Sequence, residues 1–287
     1  MKTYQSFCEE TSKELFDAIG DKDSLLNWHK GWSGAGSSQL PIGANGPYHG
    51  ANLFRLLLAQ AKNGLQSNVW LTFNQIKRQG GQVKKGAKGQ RVIFWAQKNS
   101  GGKLKETEEM EGRSDGAQKD APIFKVYPVF NLEQTDLERP LEENKVFQQG
   151  EVSFLLGRLG VEVSHFGNKA FYDGLNDVIV LPRPSLFSSK EDYYATLLHE
   201  LVHWTGNKGR VPRGCFDNYC KDKKAKAQEE LVAEIGSVFL SAHFGLKAGL
   251  ENHASYVQSW KTLLNEKSVM AATNLAARAF KWLVEKP

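Results

Sequence analysis

The chain has 287 residues, is 40% hydrophobic, 24% charged and 11% aromatic, and carries a formal net charge of +5. These proportions belong to a folded globular protein and exclude disordered, collagen-like and disulfide-scaffold classes, and at roughly 150 residues per domain the length suits two domains. No apolar run approaches the roughly 20 residues of a membrane-spanning helix, the N-terminal MKTYQSFCEETSKELF holds acids and no apolar stretch, and three cysteines are too few for a disulfide framework, so a cytoplasmic protein with no membrane partner is expected.

Tyr4, Phe7, Leu15, Phe16 and Ile19 recur at roughly helical spacing, ended by Gly20, and predict an amphipathic helix over 3–19. Gly31 to Gly50 is turn-rich and predicts a loop. Residues 51–63, ended by Gly64, predict a second helix, and Thr72 can N-cap a short third one running to Gln79. Arg91 to Ala96 and Ile123 to Phe130 are β-branched and aromatic and read as strands. The polar, glycine-bearing GGKLKETEEMEGRSDGAQKD between them predicts a long exposed hairpin loop. An acidic stretch over 131–150 marks the expected boundary between a domain at 1–135 and another at 151–287, with 136–150 as linker. Beyond it, 152–159 predicts a helix, 161–165 and 177–181 predict strands, and helices dominate to the C-terminus, so the fold class is α+β. No repeat of 20 to 50 residues is visible, which removes solenoids and propellers.

Charge is unevenly placed. Residues 1–100 hold 13 Lys and Arg against 6 Asp and Glu, whereas residues 101–151 hold 7 against 12. From Asn74 to Lys98 there are Lys77, Arg78, Lys84, Lys85, Lys88, Arg91 and Lys98 and no acid. Such a field is the footprint of a polyanion partner, a solvated cationic face being the alternative.

The strongest chemical signal is His199-Glu200-Leu201-Val202-His203. Ser188 or Ser189 can cap the helix that carries it, Leu197, Leu198, Leu201 and Val202 supply an apolar face, and Gly206 stops it. Residues four apart share a helical face, so His199 and His203 can present two imidazoles to one Zn²⁺, or to another divalent ion such as Mn²⁺, with Glu200 beside them as general base. Zinc in a catalytic site needs a third protein ligand. The pattern H-E-x-x-H-x-x-G-x-x-H fails because Gly209 stands at its last position. Residues 224–244 predict a second helix, with Leu231, Ile235, Val238 and Ala242 on its packed stripe and Glu230 and Glu234 on one face. We assign Glu230 to the metal and Glu234 to the second ring N–H of a ligand histidine, the reverse being the alternative. Glu229 is turned by about 100° and is set aside. Cys215 and Cys220 read as free thiols, His165, His243 and His253 as structural or surface histidines, and Tyr172, Tyr219, Arg210 and His243 as candidates for stabilising an oxyanion. The clustered acidic ligands that nucleotidyl transfer requires are missing, which disfavours a primase-like activity.

Two stretches together are familiar. The run from Trp70 through WLTFNQIKRQGGQVKKGAKGQRVIFW, preceded by Tyr48-His-Gly-Ala-Asn and followed by Val129-Phe-Asn-Leu-Glu-Gln-Thr, resembles the N-terminal domain of ArdC-type antirestriction proteins. HELVHWTGNKGRV with AQEELVAEIGSVFL resembles the zincin-like metallopeptidase domain that follows it in that family. Asn207 departs from the histidine expected after Thr-Gly and touches none of the proposed ligands. The resemblance implies an α+β single-stranded-DNA-binding domain fused to a zincin-like, gluzincin-type domain, carried by mobile elements and protecting incoming DNA from host restriction. It makes Lys77, Arg78, Lys84, Lys85, Lys88 and Arg91 candidate phosphate contacts, and Tyr48, Trp70, Phe73 and Trp95 candidate base-stacking platforms. Two expectations follow. Either a working protease cleaves a host restriction-related protein, with DNA binding as delivery, or the protein acts by occupying DNA and its metal site is structural or vestigial.

Overall fold

The computed structural model describes residues 4–20, 39–98, 104–107, 123–138, 147–246 and 263–285. Helix α1 (Tyr4–Gly20) precedes a short hairpin of β1 (Ile42–Gly43) and β2 (Gly46–Pro47). Helix α2 (Gly50–Asn63), β3 (Trp70–Thr72), α3 (Phe73–Arg78), β4 (Gln90–Lys98), β5 (Leu104–Thr107) and β6 (Ile123–Asn131) complete the N-terminal lobe. Its sheet is antiparallel throughout, in the order β3-β6-β4-β5, with Trp70 opposite Asn131 and Ile93 opposite Val126. Leu104–Thr107 pairs with β4, Trp95 opposite Thr107, so part of the expected hairpin loop is strand. Pairing satisfies backbone groups that β4 would otherwise leave open on that side. The rest of that stretch, and Gly31 to Ser38, lie outside the described residues.

The C-terminal lobe starts with α4 (Gln149–Leu159) and a small sheet of β7 (Glu162–His165), β8 (Phe171–Asp173) and β9 (Val178–Leu181), in the order β7-β9-β8 with β7 parallel and β8 antiparallel to β9. Then come α5 (Lys190–Trp204), the single turn α6 (Gly214–Asp217), α7 (Lys223–Phe244) and α8 (Glu266–Glu285). The caps at Thr72 and Ser189 are those the residues predict, and Asp222 caps α7. The Thr72 side chain accepts from Gln75 N in a capping box, Ser189 accepts from Asp192 N, and Asp222 accepts from Lys224 and Ala225 N.

One hydrophobic core runs through both lobes. In α2 every residue from Ala51 to Gln60 is buried, because the sheet lies on one side and α8 on the other. Phe54 of α2 meets Phe239 of α7 edge-on at 6.2 Å, and Phe239 meets Phe280 of α8 at 5.8 Å. The Asn52 amide bonds both the N–H and the C=O of Ile93, at 2.8 and 2.7 Å, and so fastens α2 to β4. Buried Arg55 donates to Thr11 at 2.9 Å and to Glu14 at 3.1 Å, which ties α1 to α2.

Helices α5 and α7 touch at Gly236. A Cβ there would lie 2.8 and 2.9 Å from the two methyls of Val202, closer than packed carbons allow, so glycine sets how near the two helices come.

Because Phe239 stands where the lobes meet, Phe239→Ala is expected to cost about 3–5 kcal/mol. It should lower a single urea transition reported alike by near-UV and far-UV circular dichroism. Two separated transitions, with only one displaced, would mean that each lobe has its own core.

Candidate metal centre and nucleic-acid surface

The sequence places His199 and His203 one turn apart on α5, and their rings lie 4.9 Å apart at 75°. Glu230 arrives from α7. His199 Nε2 and His203 Nε2 lie 3.6 and 3.8 Å from the same Glu230 Oε2, and one donor atom from each residue falls within 4.8 Å of the others. These separations are too long for hydrogen bonds. They approach the roughly 3.3 Å expected between two ligands that share a tetrahedral ion at about 2.0–2.1 Å. Two imidazoles and a carboxylate are a donor set for catalytic zinc, and the mixed nitrogen and oxygen character also suits Mn²⁺. Glu200 is buried beside His199 on the same helix.

Three further carboxylate relations complete the centre. Glu234 Oε1 lies 3.8 Å from His199 Nδ1. The Tyr219 hydroxyl donates to Glu230 Oε1, and its ring meets that of His203 edge-on at 5.9 Å. Glu229, set aside on helical geometry, is fully buried and accepts from His203 Nδ1 at 3.1 Å. The wheel argument fails because α7 is covered on several sides, by α5, α6 and α8, so residues 100° apart all reach protein.

The charges are mutually adjusted. Burial alone would lower His203, but the carboxylates of Glu229 and Glu230 raise it from 6.5 to about 10. Burial would raise Glu230, yet the neighbouring His199 and His203 imidazoles hold it well below the usual carboxylate range. Glu229 is likewise held low against its burial, by His203 and Arg213. Glu234 is pushed up to about 7, chiefly by burial, with the Glu230 and Glu200 charges adding to it. The Tyr219 hydroxyl is raised by burial and by the Glu230 charge.

Of the four oxyanion candidates, Tyr219 alone bonds a residue of this trio among the contacts described. Tyr172 instead donates to Asp177 at 2.7 Å and receives a bond from Asn207 at 3.0 Å, and Arg210 lies over Trp204 and pairs with Asp177. His243 packs against Phe244 and Phe280. His165 stacks on Tyr193. His253 lies outside the described residues. Gly206 is required by packing, since a Cβ there would fall 2.6 Å from the Phe216 ring.

The basic surface is assembled differently. Lys77, Arg78, Lys84, Lys85 and Lys88 are exposed, on α3 and the loop after it. The 129–135 motif holds that loop. Asn131 and Gln134 form a capping box, Lys84 N donates to Gln134 O at 2.8 Å, and Gln134 Nε2 donates to Lys88 O at 3.1 Å. Asp136 N bonds Gln82 O at 3.0 Å, and Leu137 packs with Leu71, Ile76 and Leu132, so ordered contacts of this lobe reach past residue 135. Two expected stacking platforms need correction. Trp70 is 1% and Tyr48 6% exposed; both are core side chains with no open face. Arg91 is half-buried and paired with Glu10 of α1. Phe73 is 53% exposed, and the Trp95 side chain lies outside the described residues.

A zincin-like peptidase domain joined to a basic N-terminal lobe is the class this architecture defines. Residues 151–277 match the family model for zincin-like metallopeptidase, and residues 5–130 match that for the N-terminal domain of anti-restriction factor ArdC. Crystal structures of the antirestriction ArdC protein from plasmid R388 resemble the whole chain. The metal-free form has a TM-score of 0.73 at 31% identity, covering 97% of this chain and 96% of that one. The Mn(II)-bound form has a TM-score of 0.72 at 30% identity, covering 97% of each. The chain therefore belongs to the ArdC antirestriction protein family. It is also 31% identical over 280 residues to a DNA primase TraC of Escherichia coli, 93% of this chain but 19% of that protein, and it spans 25% of a second TraC at 32% identity. The chain thus spans about a fifth to a quarter of those curated relatives. The uncharacterized protein y4eC of Sinorhizobium fredii is 27% identical over 285 residues, 96% of this chain and 90% of that one.

In protein stripped of metal, the raised His203 favours the folded state fully below its ordinary 6.5, and that contribution is lost as pH climbs toward about 10. Glu234, raised to about 7, acts in the same direction over a lower window. The urea midpoint of chelator-treated protein should therefore fall between about pH 7 and pH 9, and zinc binding at neutral pH should release protons, read by calorimetry in buffers of different ionisation enthalpy. A midpoint that rises over this range would contradict the assignment.

Proposed function

We propose that the chain is an antirestriction protein that binds single-stranded DNA without sequence preference and carries a divalent-metal centre of the gluzincin type, protecting incoming mobile-element DNA. In this reading residues 1–135 form the DNA-binding domain, 136–150 the linker and 151–287 the metallopeptidase domain. The observation that carries it is the convergence of His199 Nε2, His203 Nε2 and Glu230 Oε2 from two helices. His199, His203 and Glu230 would hold the ion, and Glu234 lies behind His199. Zn²⁺ or Mn²⁺ bound there supplies Lewis-acid activation of a water and of a carbonyl. Glu200 takes the proton and returns it to the leaving amine, and Tyr219 steadies the Glu230 carboxylate. The substrate class on this reading is a protein of the host restriction apparatus.

A second reading is favoured by one observation. His199, Glu200 and His203 are all buried, which suits a structural ion better than a cleft for a peptide. Antirestriction would then come from DNA occupancy alone. Glu200→Ala separates the two. It should leave zinc uptake intact and abolish peptide hydrolysis by at least about 100-fold; if transferred DNA then loses protection, the peptidase is required, and if protection persists, occupancy suffices.

For DNA, Lys77, Arg78, Lys84, Lys85 and Lys88 supply the field, and Phe73 supplies an exposed ring. Each phosphate contact on a single strand adds about −0.7 to the slope of log K against log salt. Replacing Lys84, Lys85 and Lys88 together by alanine should flatten that slope by about 2. A flat slope in the unmodified protein would remove the basic surface from the function.

A further inference from the structure

We propose that Glu229 and Arg213 form a positioning clamp that fixes the ring of His203 and the register of α5 against α7, so that the donors from both helices converge. The inference rests on the metal-centre reading above. Its basis is a closed set of bonds away from the proposed ion. Arg213 is buried, and its donors are all used: Nε to Glu229 Oε2 at 2.7 Å, Nη2 to Glu229 Oε1 at 2.7 Å and to Val202 O at 2.7 Å, Nη1 to Thr205 Oγ1 at 2.9 Å and to Val211 O at 3.4 Å. The five contacts match the five N–H donors of a guanidinium. Glu229 is equally saturated, because His203 Nδ1 donates to Oε1 and Cys215 Sγ donates to Oε2, each at 3.1 Å.

Two consequences follow. A carboxylate that accepts from Nδ1 directs the proton there and leaves Nε2, the atom facing Glu230, as the donor. The same guanidinium ties the carbonyl of Val202, the residue before His203, to the residue before Glu230. One side chain therefore sets both halves of the donor set. Lysine offers a compact ammonium with three donors and no fork, so it cannot make this pattern. Removing one partner leaves a buried charge alone, whereas removing both leaves a site that apolar side chains can fill.

The test compares the full chain with Arg213→Lys and with the double variant Arg213→Met, Glu229→Leu. Zinc affinity is read by chelator competition, folding by circular dichroism, and the His203 Nδ1–H hydrogen bond by the downfield shift and water exchange of that proton in the zinc-loaded protein. The clamp predicts roughly 10- to 100-fold weaker zinc binding in both variants, and in the folded double variant loss of the downfield, slowly exchanging Nδ1–H signal of His203. Wild-type affinity and an unchanged Nδ1–H signal in that variant would overturn the clamp and leave the pair as a core ion pair only. If the unmodified chain takes up no zinc, the metal-centre reading itself falls, and the clamp with it.

Discussion

The structure depends on withdrawing four carboxylates from water, Glu200 and Glu229 fully and Glu230 and Glu234 in large part, around two imidazoles at one helix-to-helix contact. Glu200, Glu229, Glu230 and Glu234 all come from α5 and α7, together with His199 and His203. Isolated buried carboxylates are costly, and like charges this close raise one another. The fold answers in three ways. Arg213 takes one carboxylate as a bidentate pair, His203 is raised so that it can hold a proton, and Glu234 is raised until it is near neutral. The remaining excess of negative charge is the setting in which a divalent cation is stabilised.

That contact is possible only because other residues step aside. Gly236 lets Val202 approach α7, and Gly206 lets Phe216 close over the end of α5. Behind this layer, α8 fills the space between α7 and α2, so the helix that supplies Glu230 leans on the same core as the sheet that carries the basic loop. The candidate metal centre and the basic surface are thus built on one packed body, although the residues of each are local to its own lobe. The basic loop is held by backbone and amide bonds from residues 131–136 and by Lys84 Nζ, which donates to Glu133 O at 2.9 Å, and Lys77, Arg78, Lys85 and Lys88 are left exposed.

Features that reside in short sequence intervals were legible. The two histidines of α5, the caps at Thr72 and Ser189, the strands β4, β6 and β9 and the apolar stripe of α7 all follow from spacing and residue type. What the sequence does not show depends on partners distant in sequence. Strand β5 has the polar composition of a loop and is a strand because β4 offers it an edge. Strand β8, three residues long, carries no periodicity to detect. Trp70 and Tyr48 stand beside a basic run in the sequence, yet both turn inward, since a large aromatic carries no mark of which face of its element meets the core. Glu229 lies off the face that helical periodicity assigns to the site, yet α7 is buried on several sides and its side chain still meets His203.

By itself, the sequence determined the fold class, the family, the pair of imidazoles with their neighbouring carboxylate, and a cationic segment free of acids, because each is written within one or two turns of chain. The tertiary structure alone decided which glutamate meets which nitrogen, which aromatics remain open, and that both lobes share a core. Those outcomes rest on distances between residues far apart in sequence. Such distances are set by how closely helices and sheets pack, which the local periodicity of any one element does not encode.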